Sequence, residues 1–243
     1  MTLPSNFACF VTGTDTGVGK THASATLLHA LSAAGYSTAG MKPVASGSEW
    51  RDGLWHNDDV AQLRAASSVT VPLGQTCPFL LRTPCSPHLA AAHEGVRITR
   101  APIREAFEAL RRQADAVVVE GVGGFHVPLD AGAVRWSTAD LALMLDLPVI
   151  MVVGIRLGCL NHAVLTAEAI RARGLTLAGW IANRVDPDML LADENIATLH
   201  ASLEARCLGE LPWQLAPAAA AARLDLAPLL ATNTQAEAAG LAA

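Results

Sequence analysis

The sequence predicts an α/β fold, with a mostly parallel sheet of about six to seven strands and helices on both faces. Short apolar runs of strand length recur along the chain, and amphipathic helical patterns lie between most of them. Strands buried on both faces of a sheet have continuous apolar runs, and strand–helix–strand repetition gives parallel pairing. Gly35 and Gly174, each directly after a helical pattern, are expected to cap those helices.

The predicted elements follow one another in a regular order. Apolar runs predict strands at residues 7–12, 37–41, 116–120, 148–153, 177–183 and 207–211. Helical periodicity predicts helices at residues 20–34, 100–113 and 160–173. Residues 43–99 are rich in Pro, Ser, His and charge, and we expect short helices and loops there, over one end of the sheet. The chain is predicted to be a single domain over residues 1–243, with a loosely ordered, Ala-rich tail over residues 217–243.

Composition and charge exclude several classes of protein. Hydrophobic residues make up 51% of the chain and charged residues 16%, which excludes an extended disordered protein. A net charge of −5 argues against general binding to nucleic acid or to an anionic membrane. The most apolar stretch, residues 141–155, contains Asp146 and Pro148 and is too short to cross a membrane. The N-terminus lacks a secretory pattern and the cysteines form no CxxC, so we expect reduced thiols and a cytoplasmic location.

The strongest motif is a glycine-rich loop, Gly13-Thr-Asp-Thr-Gly-Val-Gly-Lys-Thr21, between the first predicted strand and the first helix. Backbone N–H groups of such a loop, and of the helix N-terminus after it, bind phosphate oxygens. Lys20 is expected to reach the β and γ phosphates of a nucleotide, and the Thr21 hydroxyl to ligate Mg²⁺. The spacing departs from the usual pattern, because five residues separate Gly13 from Gly19.

Further sequence blocks follow the loop. They are Gly40-Met-Lys-Pro-Val-Ala-Ser-Gly47, Ser86-Pro-His88, Val119-Glu-Gly-Val-Gly-Gly124, Leu157-Gly-Cys-Leu-Asn-His162, Gly179-Trp-Ile-Ala-Asn183 and Gly209-Glu-Leu-Pro-Trp213. Together with the loop, and in this order, they resemble the dethiobiotin synthetase family from about Phe7 to Trp213. The blocks at 40–47 and 157–162 are highly specific in combination.

The resemblance implies a P-loop fold and the penultimate step of biotin synthesis. In that step ATP, Mg²⁺ and CO₂ convert 7,8-diaminononanoate to dethiobiotin, a cyclic urea. The implied route passes through a carbamate on one amine and a mixed carbamic–phosphoric anhydride, and the second amine then closes the ring. The resemblance further implies a homodimer whose active sites lie at the subunit interface.

The resemblance implies roles for individual residues near the reacting atoms. The implied catalytic residues are Lys42, Lys20 and Thr16, since a cation aimed at developing negative charge lowers such a barrier. The implied diamine-binding residues are Thr16, Lys42, Ser46, Gly123, Gly158, Cys159, Leu160 and Asn161. The last four open a helix supplied by the partner subunit, and the free N–H groups there would hold the carboxylate of the diamine. Cys159 acts through its backbone, because no acid or base is spaced to activate the thiol.

The implied metal ligands are Thr21, Asp59 and Glu120, an oxygen set that suits Mg²⁺. Glu120 ends an apolar run at the carboxyl edge of the predicted sheet, where ligands bind in open α/β folds. Asp58 adjoins Asp59, and either aspartate could be the ligand. For Asp59 and for Glu120, the alternative role is that of a helix cap.

The implied nucleotide-binding residues extend from the loop to the far strands. They are Gly17, Val18, Gly19, Lys20, Thr21, His22, Asp59, Glu120, Gly121, Gly123, Asn183, Pro212, Trp213 and Gln214. The Asn183 amide can match an adenine edge, and Pro212 and Trp213 would flank the base. Arg184, Gly17 and Ala219 stand where the family often has acids, which leaves base selectivity open. His88, His126 and His162 lack zinc-binding spacing. His88 and His162 belong to the resembling blocks, and we expect them to support loops by hydrogen bonds.

Three other functions remain open at the level of sequence. A cobalamin-pathway amidotransferase-like ligase shares this type of loop, but such enzymes usually carry a glutaminase domain for which this chain is too short. A switch ATPase of the partition or iron-protein type needs a second lysine early in the loop, where this sequence has Thr14-Asp15. An inactive homologue is the third possibility, although no alignable key position is lost.

Overall fold

A six-stranded parallel sheet is the centre of the structure, a computed structural model that describes residues 7–130, 132 and 136–229. The strands of these residues are β1 (Phe7–Gly13), β2 (Thr38–Met41), β3 (Val44–Ala45), β4 (Glu49–Arg51), β5 (Leu54–His56), β6 (Phe79–Leu80), β7 (Ala116–Glu120), β8 (Val149–Ile155), β9 (Leu177–Arg184) and β10 (Cys207–Leu211). The sheet has the order β10-β9-β8-β1-β7-β2, and every neighbouring pair is parallel. The predicted α/β fold class is therefore confirmed.

Helices cover both faces of this sheet. They are α1 (Lys20–Ala33), α2 (Asp58–Ala66), α3 (Leu73–Thr76), α4 (Pro87–His93), α5 (Arg100–Arg111), α6 (Thr138–Leu145), α7 (Cys159–Ala172), α8 (Ala192–Ser202) and α9 (Pro217–Ala220). Alternate residues of the central strands belong to two separate apolar cores, as expected when successive side chains point to opposite faces. Leu27 of α1 lies in one core, and Phe107 of α5 and Ile170 of α7 lie in the other.

The regular elements begin and end within two residues of their predicted bounds. β8 runs on to Ile155 because Gly154 and Ile155 still pair with β9. α7 starts one residue earlier than predicted, because Gly158 caps it in the left-handed conformation, with φ 95°. The sequence reasoning did not assign α6 or α8.

Residues 43–99 contain the short helices and loops that the composition predicts, together with strands that it does not. β3 pairs with β6 in parallel, and β4 and β5 form an antiparallel hairpin. α2, α3 and α4 follow, none longer than 9 residues. The segment begins directly after β2, at the carboxyl edge of the central sheet.

The Ala-rich tail is described as far as residue 229. α9 packs against α1 and is followed by a 3₁₀ turn at Ala221–Arg223. The rest of the tail, residues 230–243, lies outside the described residues, and the single domain over residues 1–243 stays a prediction. Among the helices that the structure describes, none combines the length and the apolar character needed to cross a membrane.

Candidate active site

The glycine-rich loop connects the central strand β1 to α1 and is fixed to the strands beside it. The Thr14 N–H donates to the Val152 carbonyl of β8 at 3.1 Å. The Asn183 side-chain amide of β9 donates to the Val18 carbonyl at 2.9 Å. Gly19 has φ 81°, and a Cβ there would lie 2.0 Å from the Asn183 amide nitrogen, so only glycine fits. The loop is thus held in shape before any phosphate arrives.

Lys20, the first residue of α1, folds back across the loop. Its ammonium donates to the Asp15 carbonyl at 3.0 Å, and an Asp15 carboxylate oxygen accepts the Thr16 N–H at 2.7 Å. Burial, followed by the nearby charge of Lys42, lowers the pKa of Lys20 to about 8. The buried Lys20 ammonium is therefore hydrogen-bonded to a neutral backbone carbonyl, which phosphate oxygens could replace.

Lys42 and Glu120 meet because the register of the sheet aligns the ends of β2 and β7. Met41 pairs with Val119, so the next residue of each chain segment reaches the same carboxyl edge. The Lys42 ammonium lies 2.5 Å from one Glu120 carboxylate oxygen and 2.8 Å from a carboxylate oxygen of Asp59 on α2. Lys42 and Glu120 are 3% and 0% exposed, so this is a charge cluster inside the protein.

The charge state of the cluster follows from burial and proximity. Burial alone would lower the pKa of Lys42, but the carboxylates of Glu120 and Asp59 outweigh burial and hold that pKa above its ordinary value. Burial would raise the pKa of Asp59, and the Lys42 charge outweighs it, so that pKa lies below its ordinary value. Lys42 is therefore a cation fixed beside the phosphate loop.

The residues predicted to bind magnesium do meet in space. The Thr21 hydroxyl donates to Glu120 at 2.8 Å, and the Lys42 ammonium joins the same Glu120 oxygen to Asp59. The second Glu120 oxygen is buried and has no hydrogen-bond partner among the described residues. A buried carboxylate oxygen without a partner needs compensation, and a divalent cation held by oxygen ligands supplies it. The donor set therefore fits Mg²⁺.

The two adjacent aspartates of α2 point in different directions. Asn57 caps the helix, its side chain accepting the Val60 N–H at 3.2 Å. Asp58 is exposed and contacts Arg51 and His56, whereas Asp59 faces Lys42. The geometry therefore favours Asp59 as the metal ligand, and neither acid is the helix cap.

A cleft of about 740 Å³ lies in front of the loop. The sequence-predicted site residues that line it are Thr16, Gly17, Gly19, Lys20, Thr21, His22, Lys42, Ser46, Asp59, Glu120 and Gly123. The opposite wall is formed by residues 84–87, which the site prediction did not include. The Ser46 hydroxyl donates to the Cys85 carbonyl of this wall at 2.9 Å. The adjoining Ser86-Pro-His88 block was the signal that could have identified it.

The remaining predicted site residues do not line this cleft, namely Val18, Gly121, Gly158, Cys159, Leu160, Asn161, Asn183, Pro212, Trp213 and Gln214. The Gly121 N–H donates to the Val11 carbonyl at 2.9 Å, so this N–H is already engaged in the sheet, and the nucleotide-binding role of Gly121 stays a prediction. Pro212, Trp213 and Gln214 directly follow the edge strand β10, with Trp213 exposed. Residues 158–161, where α7 begins, do not line the cleft of their own chain.

The three histidines of the sequence analysis have separate surroundings. The His126 ring packs edge-on against Phe125, His162 is exposed on α7, and a buried ring nitrogen of His88 lacks a partner within the described part of the chain. No group of three or more His, Cys, Asp or Glu residues that could hold a metal ion occurs within 7–130, 132 and 136–229.

Comparison with known proteins gives relatives over nearly the whole chain. A family model described as an AAA domain matches residues 8–220. The chain is 58% identical to the ATP-dependent dethiobiotin synthetase BioD of Aromatoleum aromaticum, over 90% of this chain and 97% of that protein. It is 57% identical to the protein of the same name from Ralstonia nicotianae, over 94% of this chain and 100% of that one.

The fold also resembles a solved structure of distant sequence. The chloroplast FtsY structure from Physcomitrella patens superposes with a TM-score of 0.50 at 14% identity, over 89% of this chain and 61% of that one. At this identity the likeness shows a shared fold alone.

Proposed function

Because the chain belongs to the ATP-dependent dethiobiotin synthetase family, we propose that it carboxylates 7,8-diaminononanoate and closes the ureido ring of dethiobiotin. The protein is an ATP-dependent ligase of biotin biosynthesis, as its relatives are named. The observation that carries the finer proposal is the buried Lys42 cation, 2.5 Å from Glu120 and beside the phosphate loop. An enzyme that transfers the γ-phosphoryl group of ATP to a carbamate benefits from a fixed cation beside the carbamate, because negative charge develops there.

The first step is addition of an amine of the diamine to CO₂. The nitrogen lone pair forms the C–N bond, one C=O electron pair moves to oxygen, the proton on nitrogen passes to water, and a carbamate anion results. Lys42 and the Ser46 hydroxyl face the cleft where this anion would lie. Lys42 remains protonated at neutral pH, because its carboxylate neighbours hold its pKa above the ordinary value, so it stabilises the anion by charge.

The second step joins the carbamate to phosphate. A carbamate oxygen attacks the γ-phosphorus of ATP, ADP leaves, and a carbamic–phosphoric anhydride forms. Lys20 exchanges its Asp15 carbonyl for phosphate oxygens, and Thr16 faces the transferred group from the loop. The second amine then attacks the carbonyl carbon and loses a proton to water, inorganic phosphate leaves with the C–O bond electrons, and the five-membered urea is closed. Positioned cations and N–H donors lower the barrier as negative charge moves.

Thr21, Asp59 and Glu120 would hold Mg²⁺, since they meet around a buried carboxylate oxygen that lacks a partner. When bound, the ion would neutralise charge on the β and γ phosphates. Asn183 would read the adenine edge with its remaining amide capacity, and the exposed Trp213 would stack on the base.

We assign the chain to a homodimer in which the helix start at 158–161 serves the partner's cleft. Large apolar side chains are exposed on and next to α7 and α8. They are Leu157, Leu165, Leu190 and Leu191. Leu157 is 93% exposed, which is costly for a side chain that stays in water. The N–H groups of the helix start would bind the diamine's carboxylate across this interface.

The dimer is tested by mixing two inactive proteins. Lys20→Ala damages the phosphate loop, and Gly158→Glu damages the helix start, because φ 95° suits glycine and a carboxylate would repel the diamine. After subunit exchange at equal amounts, activity should return to about a quarter of wild type for a two-fold dimer with composite sites. Gly174→Glu at the other end of α7, where φ is 74° and space is open, is the control and should retain activity. A verified heterodimer that stays inactive would mean that each site lies within one chain.

The ligase reaction is tested by following ADP release with and without diaminononanoate and bicarbonate, and by detecting dethiobiotin by mass spectrometry. ADP release should require both substrates and should match dethiobiotin formed one for one. Release that is independent of the diamine would favour a switch ATPase. Removal of Mg²⁺ by a chelator should abolish turnover, because the charge of the ATP phosphates is then left without its counter-ion.

A further inference from the structure

We propose that Arg156 is a positioning residue that neutralises Asp15, so that the phosphate loop can accept the triphosphate of ATP. Asp15 is the single acid in the loop from Gly13 to Thr21, and Arg156 belongs to none of the sequence motifs. Neither residue lines the cleft, so neither is expected to touch the reacting atoms. The inference rests on the proposed function only in requiring that the loop binds ATP.

Asp15 is the point at which several loop interactions converge. One carboxylate oxygen accepts the Thr16 N–H at 2.7 Å, and the other lies 2.6 Å from the Arg156 guanidinium. The backbone carbonyl of the same residue accepts the Lys20 ammonium at 3.0 Å. The conformation at Asp15 therefore determines where the Thr16 amide and the Lys20 ammonium lie.

The strand β8 and the turn into α7 place Arg156 beside Asp15. It directly follows β8, whose residue Val152 pairs with Gly13 and accepts the Thr14 N–H at 3.1 Å. The carbonyl of Arg156 accepts the Cys159 N–H at 3.0 Å, which fixes the turn into α7. The backbone on both sides of the guanidinium is thus held, and the ion pair joins the loop to the neighbouring strand a second time.

The charge of Asp15 is unfavourable in a loop that binds anions. A free carboxylate there would repel the phosphates, and the facing guanidinium cancels that charge. The Arg156 and Asp15 side chains are 40% and 47% exposed, so the pair itself adds little to folding stability. Its removal should therefore change nucleotide binding far more than it changes the fold.

The experiment measures binding of a non-hydrolysable ATP analogue with Mg²⁺ by calorimetry. Arg156→Ala should weaken binding about tenfold, since several phosphate charges then face one uncompensated carboxylate. Arg156→Lys should retain most of the affinity. Arg173→Ala is the matched control, because Arg173 pairs with Asp140 at the other end of α7. Thermal unfolding checks each variant, and Arg156→Gln replaces the alanine variant if that one does not fold.

The decisive arm is Asp15→Asn, which keeps an oxygen to accept the Thr16 N–H but removes the charge. In the Arg156→Ala background it should restore most of the lost affinity, and the defect of Arg156→Ala alone should shrink as salt is raised. Three results would each overturn the proposal. The double variant could bind the analogue more weakly than Arg156→Ala, or the affinity lost in Arg156→Ala could be independent of salt. Arg156→Ala and Arg173→Ala could also lose equal affinity. Wild type that binds the analogue yet forms no dethiobiotin would refute the proposed function alone.

Discussion

The phosphate loop and the segment of residues 43–99 form facing walls of one cleft, and they are built in different ways. The loop is tied by hydrogen bonds to β8 and β9 inside the central sheet. The segment is assembled from short helices and two-stranded pairings, and it contributes Ser46, Asp59 and the 84–87 turn. One wall is fixed by the core of the fold, and the other depends on local contacts.

The two walls hold their proposed magnesium ligands to different degrees of burial. Glu120 ends a central strand and is fully buried, whereas the Asp59 side chain, on a helix of 9 residues, is 48% exposed. A ligand on the sheet has few alternative positions, and a ligand on a short surface helix can move with its element. Substitutions in the sheet-borne wall should therefore cost more than substitutions in the other wall.

The largest effect is expected at Lys42, where the two walls meet. Lys42→Ala should lower kcat by about 10² or more, because a cation at developing negative charge is lost. Binding of an ATP analogue should persist, whereas Lys20→Ala should weaken that binding as well. Since the alanine variant leaves Glu120 buried beside no cation, thermal unfolding is measured in parallel, with Lys42→Arg as the charge-preserving variant. Wild-type turnover in folded Lys42→Ala would contradict the catalytic role.

The next effect sharpens the comparison within the sheet-borne wall. Gly19→Ala should weaken binding of the ATP analogue at least tenfold, because its Cβ would displace the Asn183 amide that holds the loop. Gly17→Ala is the control: φ is 76° there, but nothing lies within 4 Å of the added Cβ. Both variants pay a left-handed backbone cost of about 1–2 kcal/mol, and only Gly19→Ala meets a clash. Equal affinities of the two variants would show that Asn183 does not hold the loop.

A third prediction compares the acids of the two walls. Glu120→Gln and Asp59→Asn should each raise the Mg²⁺ concentration for half-maximal rate, by about tenfold for Asp59 and by more for Glu120, as each removes a charged oxygen. Asp58→Asn should leave that concentration unchanged, because Asp58 contacts Arg51 and His56 instead. If Asp59→Asn raised the Mg²⁺ concentration for half-maximal rate more than Glu120→Gln did, the sheet-borne ligand would not be the more important one.

The smallest expected effect is a change in Tm at Glu94, which lies in the segment of residues 43–99, and it depends on pH. Burial would raise the pKa of Glu94, but hydrogen bonds from Thr83 and Arg82 outweigh it, and the pKa lies below its ordinary value of 4.5. Its stabilising effect is therefore present above that value and is lost as the pH falls through the depressed pKa. At pH 7, Glu94→Gln should lower Tm by about 2–4 °C, for a loss of about 1 kcal/mol.

The difference in Tm between wild type and Glu94→Gln should close as the pH falls below 4.5, when wild type becomes protonated too. Glu108→Gln, at an exposed position of α5, is the control for loss of one surface charge. A Tm difference that stays constant down to low pH would mean that the charge of Glu94 plays no part in holding the 82–83 turn.

The sequence was most informative where local pattern and global fold agree. The strand, glycine-rich loop and helix could be placed because each depends on neighbours in sequence, and Lys42 and Glu120 because strand ends meet at one edge. The choice between Asp58 and Asp59 needed the structure. Adjacent helical residues point about 100° apart, and the direction of each depends on where Asn57 starts the helix.

Other features depend on contacts that leave no mark in sequence. The resemblance implies that Gly121 binds nucleotide, and only the register of β7 against β1 reveals that its N–H donates to the Val11 carbonyl. Arg156 is a lone arginine at a strand end, and only the position of β8 beside β1 brings it to Asp15. The 84–87 wall lacks periodicity, because turns packed over a sheet edge have none.

The central position of β1 also has a consequence for synthesis of the chain. β1 is made well before its partners β7 and β8, which place Glu120 opposite Val11 and Met151 opposite Thr12. At usual translation rates the ribosome needs on the order of ten seconds to make the intervening residues. Until β7 emerges, the buried strand β1 has no partner on either edge, and until β8 emerges the loop lacks its Val152 anchor. We expect the nascent chain to rely on chaperones until β8 emerges, and to bind nucleotide only after that.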